Sequence, residues 1–361
     1  MGRQDEAQVE ISAETGTRRV VRVSHASRVI FPATELTPAV TKLELVQYIV
    51  TMREPLMRVL HDRPTTLERW PNGVQPGMRL GRGRDDGGFY QKHMMRGAPD
   101  YVESVEIEFP SGRTAREVCP TEPAVLAWCA QMGAVTFHPW PVRRTADPDS
   151  LSRPDELRID LDPQPGNSFR TVVEVALAAK DLFNEIGMSA YCKTSGGRGI
   201  HVFVRIQPHW DFLDVRHAAI AFGRELERRD RRVTTEWWRE LRGDKIFVDF
   251  NQNCQDRTIA SAWSPRAHEG APVSTPVTWS RLERLTDPST LNVTTVPQLL
   301  AENGDPWQDM DSTSNSLDQL LEIWAADPTE MPFPPDYPKM PGEPKRVQPS
   351  RDTDLKADRE A

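Results

Sequence analysis

Between residues 157 and 250 short apolar runs alternate with two long amphipathic segments, and this alternation restricts the fold more than any other feature. Residues 157–161, 200–206 and 246–250 carry the two-residue period of strands. Ser168 opens a helix with Val172, Val175, Ala176, Ala179, Leu182, Phe183 and Ile186 on its apolar stripe, ended by Gly187. A second helix runs from Val215 to about Arg229. Upstream, Val20, Val21 and Val23 predict a strand. Thr41 caps a helix through Leu43, Val46, Tyr48 and Ile49, which Pro55 should kink or divide. Residues 102–107 read as another strand, and Thr121 opens a helix that Gly133 ends. Strands interleaved with helices point to an α/β or α+β domain. Residues 71–88, rich in Gly, Arg and Asp, read as a long loop.

The ends differ from the body. Residues 1–18 are polar and expected to fray, apart from a β-like piece at Val9, Glu10 and Ile11. Eight of the 31 prolines fall between Pro328 and Pro349. Residues 326–361 are therefore expected to form an extended arm that wraps the body or stays disordered, followed by a disordered charged tail. Residues 19–325 form one composite unit in this reading. No apolar run is long enough to span a bilayer, and the start of the chain has no secretory pattern. The cysteines, Cys119, Cys129, Cys192 and Cys254, form no CxxC pair, which argues for a reducing cytoplasm and against structural zinc.

The formal net charge is −8. Residues 285–330 hold nine acids and no Lys or Arg, so that stretch carries −9. Residues 331–361 hold six of each sign, so residues 1–284 carry −8 + 9 = +1. An acidic total is thus compatible with a nucleic-acid partner, with the acidic stretch turned away from it.

In Arg158-Ile159-Asp160-Leu161-Asp162-Pro163, strand alternation puts Asp160 and Asp162 on one face and Ile159 and Leu161 in the core. Adjacent carboxylates repel each other unless a cation lies between them, and Mg²⁺ or Mn²⁺ suits carboxylate oxygens. Asp249 ends another apolar run. If its strand is adjacent, three carboxylates meet in the composition used for two-metal phosphoryl and nucleotidyl transfer. In Thr194-Ser195-Gly196-Gly197-Arg198-Gly199-Ile200-His201, three glycines let backbone N–H groups approach an anion, and Ser195 and Arg198 add donors. His201 lies opposite Val202 and Val204, on the face away from the core. The segment fits a phosphate-binding turn or a plain hairpin turn. It lacks both the GxSxG elbow of a hydrolase and the GK[ST] of a Walker loop.

The order DLDP, TSGGRGIHV and a strand ending in Asp resembles the archaeo-eukaryotic primase-polymerase superfamily. Arg28 to Pro32, Thr66 to Arg69 with Pro71-Asn72-Gly73, Phe89 to His93, His138-Pro139-Trp140 and Pro272 to Pro276 extend the likeness. With them, residues 9–325 resemble the polymerase domain of bacterial DNA ligase D and its stand-alone actinobacterial relatives. The resemblance implies an α+β core with mixed or antiparallel central sheets flanked by helices. With no ligase or phosphoesterase module alongside, a free-standing polymerase is expected.

The resemblance also implies roles. Asp160, Asp162 and Asp249 fall on the catalytic, metal-binding acids of a two-metal Mn²⁺ or Mg²⁺ site. Ser195, Arg198 and His201 fall on the triphosphate motif. Arg242 and Arg266 match basic residues that meet the incoming nucleotide, and Gln252 and His138 line its pocket. Phe89 and Tyr90 match an aromatic pair that stacks on the template, with Lys92 and Arg69 beside it on DNA. Arg28 and Lys42 match a pair that grips a 5′-phosphate across a gap. Arg28 stands where the family has Lys, the spacing from Phe31 to Lys42 is longer than usual, and 78–88 reads as an insertion whose Arg79, Arg82 and Arg84 contact phosphates. The implied substrates are NTPs or dNTPs, with ribonucleotides preferred, and gapped or nicked DNA. A monomer in the cytoplasm, at the nucleoid, is expected, served by a separate ligase or other repair proteins. Short-gap excision repair is the expected pathway, with end joining or a non-catalytic DNA-end binding module as alternatives.

Overall fold

The computed structural model describes residues 5–12, 16, 18–81 and 87–351. At the N-terminus β1 (Glu6–Ser12) pairs antiparallel with β2 (Arg18–Ser24), so the β-like piece expected at Val9, Glu10 and Ile11 extends to both sides. The reason is alternation: Ala7, Val9 and Ile11 face inward while Glu6, Gln8 and Glu10 face out, and Ile11 is buried. A short pair, β3 (Val29–Phe31) and β4 (Val40–Thr41), leads directly into α1 (Lys42–Thr51). Thr41 and Glu44 form a full capping box at its start. The division expected from Pro55 falls at Met52, so that Pro55 lies in the first turn of α2 (Arg53–Leu60), where no intrahelical N–H is needed.

Next come β5 (Thr65–Arg69), β6 (Arg79–Leu80), β7 (Gly87–Gln91), β8 (Ser104–Glu108), β9 (Thr114–Val118), α3 (Pro123–Gln131) and β10 (Ala134–Pro139). They build a six-stranded sheet in the order β6-β7-β5-β9-β8, with β10 also paired to β5. The loop read at 71–88 therefore contains β6 and the start of β7. Arg79 lies in β6, while Arg82 and Arg84 fall outside the described residues. Helix α3 begins at Pro123 with Glu122 as its cap, not at Thr121, because proline suits the first helical position.

The second six-stranded sheet holds the chemistry. Its elements are β11 (Glu156–Pro163), α4 (Phe169–Glu185), β12 (Ala190–Thr194), β13 (Ile200–Arg205), α5 (Phe212–Arg229), β14 (Val233–Thr234), β15 (Ile246–Val248) and β16 (Pro276–Val277). Strand order is β14-β15-β11-β13-β12-β16, antiparallel except for β14 on β15. Ser168 caps α4 by accepting from the Thr171 N–H, and the apolar stripe of α4 is buried against this sheet. The result is the expected α+β architecture of mixed and antiparallel sheets flanked by helices.

After α6 (Trp279–Arg284) and α7 (Val296–Asn303), α8 (Asp318–Ala326) packs on α5 through buried Leu317 and Leu320. Some acids of this stretch are bound by arginines of the body. Asp305 pairs with Arg58, and Asp311 pairs with Arg143 and Arg205. Of the two fates open to the arm, wrapping is observed for residues 328–351; the charged tail 352–361 lies outside the described residues. Arg346 gathers the carbonyls of Pro334, Tyr337 and Pro338 and the Glu343 carboxylate, which folds the arm on itself.

Candidate active site

The strand register brings the predicted acids together. Asp160 stands opposite His201 on β13, and Asp162 opposite Phe247 on β15. One residue past β15, the Asp249 N–H donates to the Asp160 carbonyl at 3.0 Å, so all three acids lie on neighbouring strands. Burial, and then the charges of Asp249 and Asp162, push Asp160 up to about 8. Burial likewise raises Asp249, and raises Asp162 against the opposing pull of Arg242, Arg198 and Arg239. Three oxygen-donor side chains that resist ionisation together fit one or more hard divalent cations. The side chains of Asp160 and Asp249 have other partners, His201 Nε2 lying 3.4 Å from Asp160 Oδ1. The Asp249 carboxylate accepts from the Gln252 side-chain amide at 2.8 Å and from the Asn251 N–H at 3.1 Å. Among the described residues, no group of three or more His, Cys, Asp or Glu side chains is spaced to hold a metal ion as the side chains stand. Gln252, expected to line the nucleotide pocket, is thus a partner of the third acid.

A row of polar side chains crosses the sheet. Lys193 on β12 stands opposite His201, which stands opposite Asp160. Lys193 Nζ lies 2.7 Å from His201 Nδ1, and His201 Nε2 lies 3.4 Å from Asp160 Oδ1. Nζ also donates to the Ala260 carbonyl at 3.0 Å and the Ser274 hydroxyl at 2.6 Å. Burial, followed by the charge of Arg266, drives Lys193 down; burial and then Lys193 do the same to His201. His201 is off the apolar side of its strand, as expected, yet is only 5 % exposed because Lys193 and the 260–274 segment cover it. Lys193 escaped the sequence reading, although a lysine in the apolar setting of Tyr191, Cys192 and Thr194 was a usable signal.

The glycine turn is built differently from the expected backbone nest. Ser195 Oγ accepts from the N–H groups of Gly197 and Gly199, both at 3.1 Å, so these two donors point inward. The Ser195 hydroxyl proton takes part in neither of these bonds. Gly196 has φ +74°, and a Cβ there would run into the Arg266 side chain, whose Nη1 donates to the Ser195 carbonyl at 2.5 Å. The cationic donors beside the turn are thus Arg266 and the exposed Arg198. Arg242 lies flat on Phe247 at 3.4 Å and donates to the carbonyls of Glu236 and Trp237, with its charge beside Asp249 and Asp162. A cleft of about 880 Å³ opens next to the turn, lined by Thr34, Thr37, Arg198, His268 and Asp287 among others. Asp287, from the acidic stretch expected to face away from nucleic acid, lines this cleft.

His138 is buried on β10, 3.2 Å from Glu68 on β5, and Tyr90 meets its ring edge-on at 5.4 Å. Burial would raise Glu68, but the His138 and Trp70 bonds and the Arg266 charge outweigh it and hold Glu68 at about 2. The expected aromatic pair splits across β7. Tyr90, half-exposed, faces the His138 side, whereas Phe89 lies under the Arg69 guanidinium at 5.3 Å on the other. Arg69 donates to the Met132 carbonyl and to Gln91. On that side Lys42 and Arg28 meet: the Lys42 N–H donates to the Arg28 carbonyl at 2.8 Å, and Arg28 Nη1 to the Pro71 carbonyl at 2.7 Å. Burial, and then the Arg28 charge, bring Lys42 down to about 8, although Nζ donates to the Ser24 carbonyl. Lys92 joins neither group; it pairs with Asp256 at 2.5 Å above the Phe109 ring.

Three carboxylates on adjacent strands, flanked by a glycine turn and cationic side chains, point to a class: a nucleotidyltransferase core of the primase-polymerase type. Residues 41–307 match the family described as LigD, primase-polymerase domain, and the chain belongs to that family. It is 33% identical over 305 residues to the multifunctional non-homologous end joining protein LigD of Pseudomonas aeruginosa, covering 83% of this chain and 34% of that protein. It is 28% identical over 279 residues to the bifunctional non-homologous end joining protein LigD of Bacillus subtilis, covering 74% and 41%. The chain thus spans roughly a third to two-fifths of the length of these curated relatives. The solved polymerase domain of Mycobacterium tuberculosis ligase D in complex with DNA superposes with a TM-score of 0.71 at 28% identity, over 82% of this chain and 99% of that one. Among the described residues, no helix is long and apolar enough to cross a membrane.

Proposed function

We propose that the protein adds nucleotides, ribonucleotides by preference, to a primer 3′-hydroxyl at short DNA gaps whose downstream strand carries a 5′-phosphate. The observation that carries this reading is the meeting of Asp160, Asp162 and Asp249 beside the Ser195–Arg198 turn. The three acids would hold Mn²⁺ or Mg²⁺, which when bound lowers the pKa of the primer hydroxyl and neutralises triphosphate charge. Ser195, Arg198, Arg266 and Arg242 bind and orient the phosphates. Tyr90 offers a half-exposed ring for a template base, a contact of about 1–3 kcal/mol that reads no sequence. Arg28 and Lys42 receive the 5′-phosphate, where Arg can bind two oxygens at once.

The names of the relatives favour end joining as the setting; excision repair of short gaps is the second reading. Extension of a gapped template with each NTP and dNTP, in Mg²⁺ or Mn²⁺, tests the activity. Asp160→Ala with Asp162→Ala should abolish extension while DNA binding survives, and retained extension would sink the assignment. Comparing a continuous gapped template with two ends held by a short overhang separates the pathways.

A further inference from the structure

The Pro-rich arm lies beyond residue 307, where the family match ends, yet it reaches the turn that carries the third acid. We infer that residues 330–333 of this arm are a positioning element of the metal site, acting on Asp249 through Arg216 and Asn251. The inference rests on the metal-binding role proposed above for Asp249.

Arg216 on α5 is fully buried, and its guanidinium has four acceptors. Nε donates to the Asn251 side-chain carbonyl at 2.8 Å. Nη1 is paired with Glu330. Nη2 donates to the carbonyls of Met331 at 2.8 Å and Pro332 at 3.3 Å. Phe333 stacks on the same guanidinium at 3.7 Å. Three of the four acceptors, and the sole carboxylate among them, come from the arm. Asn251 is held a second time, because its amide donates to the Pro332 carbonyl at 2.9 Å. Its own backbone N–H then donates to the Asp249 carboxylate, at the head of the short turn Phe250–Asn253.

The physical consequence follows from burial. Without Glu330, Arg216 keeps a buried positive charge with no counter-charge, a state costly enough to force rearrangement. The group then free to move is Asn251, and with it the N–H that orients Asp249. Partners one step removed from a metal ligand typically change metal affinity by 10–100-fold when removed. The arm acts one step further out, so about tenfold is expected.

The test uses the full-length chain and Mn²⁺ alone, with binding read by loss of the free-ion paramagnetic resonance signal, and without DNA or nucleotide. Glu330→Ala should weaken Mn²⁺ binding about tenfold, and Glu330→Gln, which keeps the shape and is the variant to rely on if Glu330→Ala does not fold, about threefold. Arg346→Ala removes contacts of the distal arm and none of the four Arg216 acceptors; it should lower the melting temperature and leave Mn²⁺ affinity in place. Folded Glu330 variants that bind Mn²⁺ within twofold of wild type overturn the inference. So does an equal loss in Arg346→Ala, since general loosening would then be the cause. Asp249→Asn is the reference. If it binds Mn²⁺ like wild type, the metal-site reading falls and the inference with it; if it loses Mn²⁺ while the Glu330 variants do not, the arm inference alone falls.

Discussion

Replacing Asp160 by Asn should stabilise the metal-free protein while removing its activity. Asp160 has an ordinary value of 3.8 that burial and its acidic neighbours push up to about 8. The sign is fixed by that direction. The folded state holds a proton that the unfolded chain releases above pH 4, so wild-type stability is fullest in acid and drains away as pH rises from about 4 towards 8. At about 1.4 kcal/mol per unit, the three units between 4 and 7 correspond to about 4 kcal/mol. The Asp160 side chain retains 18% exposure, so about 2–4 kcal/mol is the expected range at pH 7. Asn has the shape of the protonated acid and carries no such cost. For a chain of this size roughly 2 °C accompanies each kcal/mol, so Asp160→Asn should melt about 4–8 °C above wild type at pH 7. Thermal unfolding in chelator at pH 5, 6, 7 and 8 reads this directly. The gap should widen with each step of pH, and Mn²⁺ should close it by raising wild type more than the variant. A gap that stays constant from pH 5 to 8 would mean Asp160 is already ionised in the fold, and the mutual repulsion inferred for the three acids would be wrong.

Two further outcomes test the surrounding groups. Lys193→Met leaves His201 Nδ1, the Ala260 carbonyl and the Ser274 hydroxyl without their shared donor; about 1–3 kcal/mol of stability should be lost, and the KM for nucleotide in steady-state extension should rise. Unchanged kinetics would reduce the polar row to packing. For the downstream pocket, gel-shift titration should show tighter binding to a gap with a 5′-phosphate than without one, by about tenfold at low salt. That preference should shrink in Arg28→Ala and Lys42→Ala, and shrink in wild type from pH 7 to 9 as Lys42 loses its proton near 8. Equal affinity for both gaps argues against the pocket.

The parts of the site that follow strand periodicity were legible in the sequence. Asp160, Asp162 and His201 sit where alternation puts them, because buried Ile159, Leu161, Val202 and Val204 fix which face is which. What depends on pairing between distant segments was not. Nothing local to Lys193 says that Ala260 and Ser274 close over it, and nothing local to Ser195 says that its oxygen takes up the Gly197 and Gly199 donors. The arm illustrates the same limit: its prolines announce an extended chain, but the clasp that holds it needs Arg216, more than a hundred residues earlier. The split of Phe89 and Tyr90 could have been read, since neighbours on a strand point opposite ways. The family likeness, which treats them as a pair, obscured it.

That split makes β7 a fixed spacer. On the function proposed above, Tyr90 would serve the nucleotide side and Phe89 the Arg28–Lys42 side, so the two subsites would stand back to back across one layer of backbone. A strand has no hinge and cannot lengthen to follow its substrate. On that reading the stretch of template between the growing end and the anchored phosphate is measured by protein thickness. On this arrangement a gap of a nucleotide or so engages both subsites at once. A longer gap is filled with the phosphate unbound until the last additions bring it within reach, and the strand then works as a gauge of when synthesis is complete.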